Sequence, residues 1–200
     1  MRVVVPIYFD YASSLCYIAW RITNQLRVEL PIDPLWKGVP ITLRDRRVRP
    51  GREITPADRE KIQSVAAETG ITVDAPPHWL DSDAAVRGSE LAREAGVFDA
   101  YHDAVFRAAF EDRLDIGSLD LLANLAARVG MDRARFCADI QSGTMAVRVI
   151  EHRREADRFS ALGYPTFMLG DFPLIGIQRV ETMRLLFERF IALRTQEPGA

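Results

Sequence analysis

The feature that most limits the fold is the succession within residues 3–36. "VVVPIYF" at 3–9 is an unbroken β-branched and aromatic run, the pattern of a strand buried on both faces. Cys16, Ile18, Ala19, Ile22 and Leu26 then recur at helical spacing, which predicts a helix over about 14–27. "RVELPIDPLW" at 27–36 reads as a second short strand. A helix between two strands is long enough for the crossover that a parallel pair requires, so the chain opens as a βαβ unit. Pro6 is a mild objection, since proline cannot donate to a ladder.

From Thr55 to Leu162 the periods are helical only. "TPADREKIQSVAAET" opens on a Thr cap, with Pro at the first helical position and Asp three residues after the cap. "SDAAVRGSELAREAG" ends in glycine, as helices commonly do. Further helices are expected at about 98–112, 118–129, 132–141 and 144–161. "PTFMLG" and "FPLIG" then read as two strands joined by a turn at Gly170 and Asp171. The closing helix "VETMRLLFERFIALR" should turn Met183, Leu186, Phe187 and Phe190 to the sheet. Two hundred residues, 48% of them hydrophobic, suffice for a sizeable core in one domain or in one domain with a large insertion.

A net charge of −2 gives no electrostatic footprint for nucleic acid or an anionic membrane surface. The basic run "RDRRVRPGR" at 44–52 lacks the strand, Gly-rich turn and helix of a phosphate loop and reads as a solvated loop. No signal peptide or membrane-length apolar run is recognisable, which leads to the expectation of a soluble cytoplasmic protein. Arginine far outnumbers lysine, as in GC-rich bacterial genomes. Cys16 and Cys137 make neither a disulfide framework nor a zinc spacing, and His78, His102 and His152 lack ligand spacing, so no metal is expected.

The chemistry concentrates at the first strand–helix junction. A helix N-terminus presents unpaired N–H groups and about half a positive charge, which stabilise a thiolate or other anion. Ser13 and Ser14 stand there, with Cys16 just inside the helix. Serine is also a preferred N-cap and cysteine a small core residue, so the junction is equally readable as structure. Cys137 beside Phe136, and His102 among Val105 and Phe106, read as packed residues. His78, Trp79, Trp36 and Lys37 are candidates for lining a cleft.

Three segments, "YFDYASSLCYIAW", "AFEDRLDIGSLDLLANLAARVGMD" and "LGYPTFMLGDFPLIGIQRVETM", together with the element order, resemble the DsbA-like family of thioredoxin-fold proteins. That family includes FrnE-like dithiol oxidoreductases, 2-hydroxychromene-2-carboxylate isomerases and kappa-class glutathione transferases. The resemblance implies an α/β thioredoxin fold (βαβ then ββα) over 1–54 and 163–200, with an all-helical insertion over 55–162. It implies a cis bond before Pro165, with the Tyr164 backbone available to a thiol cofactor or an extended peptide. It also implies a possible homodimer.

A dithiol enzyme of this group has C-x-x-C at the junction, whereas this chain has Ser13-Ser14-Leu15-Cys16. No disulfide closes between a hydroxyl and a thiol, so the dithiol cycle is lost. Two chemistries stay open. In the isomerase and transferase subclasses the residue matching Ser13 holds the sulfur of a bound small thiol, with Ser14, Tyr164, Pro165, Ile177 and Gln178 around the cofactor. Glutathione, mycothiol and bacillithiol are the candidates, acting on an electrophilic small molecule. Alternatively Cys16 reacts alone. The glutathione-using subclasses carry G-x-D-R where this chain has Gly176-Ile177-Gln178-Arg179, and a neutral amide loses the charge-assisted bond to an ammonium. Proline is also usual in those subclasses where Ser14 stands. A reading from another class is a catalytically reduced binding protein for an extended peptide.

Overall fold

The computed structural model describes residues 2–43, 48–161 and 163–196. Its order is β1 (Val3–Phe9), α1 (Ser14–Glu29), β2 (Ile32–Gly38), a 3-10 turn (Ile41–Leu43), α2 (Pro56–Thr69) and α3 (Asp83–Glu94). Then come α4 (Phe98–Phe110), α5 (Leu119–Arg128), α6 (Arg133–Ser142), α7 (Ala146–Arg158), β3 (Thr166–Leu169), β4 (Phe172–Ile175) and α8 (Val180–Gln196). The sheet runs β2-β1-β3-β4. β1 and β2 are parallel from Val3↔Ile32 to Phe9↔Gly38, and β3 and β4 are antiparallel to their neighbours.

Each boundary has a local cause. Pro6 is tolerated because β3 pairs with β1 only at Ile7 and Tyr8, so at Pro6 β2 is the single neighbour. The helix α1 runs two residues beyond expectation and β2 starts later. The Leu30 N–H bonds the Leu26 carbonyl, and Pro31 bars a further turn. Val28, which resembled strand sequence, lies on the solvent side of α1 at 84% exposure. Thr55 caps α2 by accepting from the Asp58 N–H, as its sequence predicts. From α2 to α7 the described residues form helices and loops, and His78 makes an isolated bridge back to Glu53, which precedes α2.

The core is continuous from the sheet into the helices. Phe9, Trp20, Trp36 and Phe106 are buried around His102, whose ring lies 4.6 Å from Phe9 and Trp20 and 5.0 Å from Trp36. Trp36 is therefore core and lines no cleft. Burying each large side chain of this kind contributes about 1.5–3 kcal/mol, so the sheet and α4 are held by their shared aromatic layer. Met183, Phe187 and Phe190 of α8 are buried, and Phe167 meets Phe187 edge to face at 5.9 Å. Among the described residues no helix is long and apolar enough to cross a membrane. Arg49 and Arg52 of the basic run are exposed, and 44–47 lie outside the described residues.

Candidate active site

The site is built on the turn between β1 and α1. The turn is closed by the Ser13 N–H donating to the Asp10 carbonyl at 3.1 Å. The Asp10 carboxylate, fully buried, accepts from the Ala12 N–H at 3.0 Å and from the Ile41 N–H at 2.6 Å. Burial raises its pKa, and the N–H groups of Ala12 and Ile41 oppose that rise by favouring the charged form. Asp10 thus ties the turn to the segment after β2.

Ser13 is the N-cap of α1, with extended φ −97° and ψ 112°. Its Oγ accepts from the Cys16 N–H at 3.4 Å and donates to the Tyr164 carbonyl at 3.5 Å. Both contacts are at the long limit of hydrogen bonding, so the hydroxyl is weakly committed. No acidic residue belongs to the first turn of α1, and the nearby Asp10 carboxylate is engaged by the N–H groups of Ala12 and Ile41. Ser13 is therefore a cap, and the same hydroxyl stands where an anion would be held. Ser14 is the first residue of α1 and is buried.

Tyr164 and Pro165 arrive from the far end of the chain, and their peptide bond is cis. The Pro165 carbonyl accepts from the Gly176 N–H at 2.7 Å, which brings the loop after β4 beside them. In that loop Ile177 is buried and Gln178 exposed. The fold thus collects Ser13, Tyr164 and Pro165 directly, and Ile177 and Gln178 through Gly176.

Cys16 has a different standing. It is completely buried, and burial pushes its thiol pKa up to about 12, a rise to which nearby Asp10 adds and which Ser13 partly offsets. A thiol in that state carries almost no thiolate at neutral pH, which weighs against Cys16 as a lone nucleophile. Cys137 is half-buried rather than in the core, while its neighbours Phe136 and Ile140 are buried. His78 is exposed and Trp79 half-buried, held near Arg52 and Gly51 by backbone bonds. Lys37 pairs with Glu155 at 2.6 Å.

Sequence reasoning overlooked Asp10, Tyr11 and Ile41. An acidic residue directly after an apolar strand and three before a cap was the available signal for Asp10. The contact of Tyr11 Oη with His102 Nδ1, at 2.7 Å and 91 residues away in sequence, had none.

A family model described as the DSBA-like thioredoxin domain matches residues 4–188, and the chain belongs to that family. Among curated proteins, YwbO of Bacillus subtilis is 26% identical over 190 residues, which cover 88% of this chain and 91% of YwbO. Among solved structures, a 2-hydroxychromene-2-carboxylate isomerase superposes with TM-score 0.80 at 20% identity, covering 98% of this chain and all of that one. The cytosolic disulfide reductase DsbM of Pseudomonas aeruginosa, solved with GSH, superposes with TM-score 0.67 at 18% identity over 97% of this chain and 98% of that one. At these identities the two superpositions establish a common fold.

Proposed function

We propose that this protein is a cytoplasmic enzyme of thiol chemistry that borrows its reactive sulfur from a small-thiol cofactor and acts on an electrophilic, conjugated small molecule. The observation that carries the reading is the contrast at the α1 N-terminus. The hydroxyl of Ser13, a residue 8% exposed, is at the helix end beside Tyr164 and Pro165, while the thiol of Cys16, one turn further in, is completely buried.

The chemistry of the residues at the site supports such a cofactor. A bound small thiol supplies the nucleophilic sulfur that the chain itself does not present. The long bond from Ser13 Oγ to the Tyr164 carbonyl allows the hydroxyl to turn and donate to an incoming sulfur. The α1 dipole favours the deprotonated form of whatever stands there. An extended ligand would lie along the segment at the cis Tyr164–Pro165 bond, in the manner of strand addition. Gln178 is neutral and exposed, so it does not supply a carboxylate for an ammonium group, and the identity of the thiol is left to Ser14, Ile177 and the residues around them. The isomerase and the GSH-bound reductase that share the fold support the class of chemistry. Dimerisation rests on the family alone, and light scattering decides it.

Titration calorimetry with glutathione, mycothiol, bacillithiol and an extended peptide tests the reading. Saturable binding of one thiol, lost in Ser13→Ala, is expected. Saturable peptide binding without affinity for any thiol would replace it with a non-catalytic peptide-binding role.

A further inference from the structure

The contacts of Ser13 raise the question of what holds it in place. Its two side-chain hydrogen bonds, 3.4 Å and 3.5 Å long, are too weak to fix the hydroxyl to a fraction of an ångström. The precision has to come from the backbone of the turn. One side of that turn is gripped by Asp10, which bonds Ala12 and Ile41. The other grip is Tyr11, two residues before Ser13.

Tyr11 is fully buried and its Oη lies 2.7 Å from His102 Nδ1. His102 belongs to α4 and is itself fully buried. Its ring is enclosed by Phe9, Trp20, Trp36, Phe98 and Phe106, with Phe98 stacked on it at 4.8 Å. Its other nitrogen, Nε2, has no hydrogen-bond partner among the described residues. A ring confined on so many sides has one orientation, so the atom that meets Tyr11 is a fixed point. The bond is short, in contrast to those of Ser13.

We propose that Tyr11, anchored on His102, is the positioning residue for Ser13, so that the helix α4 sets the geometry at the end of α1. This builds on the role of Ser13 under Proposed function, and it deepens that reading by naming what tunes the site. Tyr11 touches no reacting atom. It acts through the turn, and a displacement of an ångström at such a point can cost a hundredfold in rate.

The test places a reporter thiol at the position itself. In a protein carrying Ser13→Cys and Cys16→Ser, the pH midpoint of iodoacetamide alkylation reads how position 13 faces the helix end, with no cofactor involved. Adding Tyr11→Phe, which keeps the ring and removes the hydroxyl, should raise that midpoint by about half a pH unit, the size of effect a helix terminus gives a neighbouring charge. A folded Tyr11→Phe protein with an unmoved midpoint overturns the proposal. If Tyr11→Phe fails to fold, the same assay compares His102→Gln with His102→Leu. The amide can still meet the Tyr11 hydroxyl, so its midpoint should stay put while that of His102→Leu rises. An unmoved midpoint in both overturns the proposal. Failure of the unmodified protein to bind any small thiol would sink the cofactor reading and leave this test standing.

Discussion

His102 should make the protein acid-sensitive in a window that its burial defines. Burial holds its pKa well below the ordinary value of 6.5, with Arg93 and Arg27 acting in the same direction. The folded state therefore keeps the ring neutral, while the unfolded chain takes up a proton as pH falls through 6.5. The sign follows: this contribution is fully present above the unfolded value and is lost as pH falls below it, toward the folded value. One proton changes stability by about 1.4 kcal/mol per pH unit, so lowering pH from about 7.5 to about 5.5 should cost about 1.4 kcal/mol through His102 alone. His152, whose pKa burial also lowers, adds a share of the same sign. Urea unfolding at the two pH values measures the total, and the same pair of curves for His102→Gln isolates the residue. The variant should lose less stability on acidification than the parent by about 1.4 kcal/mol. Equal acid losses in the two proteins would refute the reasoning, because His102 would then have the same proton affinity folded and unfolded.

Other outcomes follow from the same contacts. Native Cys16 should resist Ellman's reagent at neutral pH and react only on unfolding, since it is fully buried with a raised pKa; fast native modification traced to Cys16 by peptide mapping would contradict this. The change Gly88→Ala should destabilise by about 1–3 kcal/mol in thermal melts, because the added Cβ would lie 2.8 Å from Phe136 Cζ and press on the Tyr101 hydroxyl. The protein should not reduce insulin disulfides, whereas Ser13→Cys should gain that activity if its Cα lies within about 7 Å of that of Cys16, as a closable pair requires.

Much of the fold was legible because it rests on local causes. The β-branched run of β1, the helical spacing of Cys16, Ala19, Ile22 and Leu26, and the Thr55 cap act within a few residues and were read from them. The register between α1 and β2 was less clear, because Val28 and Glu29 suit a strand as well as an exposed helical end. Trp36 and Lys37 are adjacent in sequence, yet pleating sends Trp36 into the aromatic layer and Lys37 to Glu155. The site divided in the same way. Ser13 and Pro165 were legible from local pattern and resemblance. The burial of Cys16 could be suspected from its helical period, but its shift to about 12 depends on what packs over it. The meeting of Tyr11 with His102 is a product of tertiary folding, and a single sequence holds no mark of it.

In the proposed chemistry the reacting sulfur is borrowed and Cys16 is silent. That is tested most directly by the rate at which Cys16→Ser converts a conjugated carbonyl electrophile in the presence of the small thiol, relative to the unmodified protein. An unchanged rate is expected, because a fully buried thiol with its pKa pushed up to about 12 is a poor nucleophile at neutral pH. Loss of turnover in a folded Cys16→Ser protein would contradict it and make Cys16 the nucleophile.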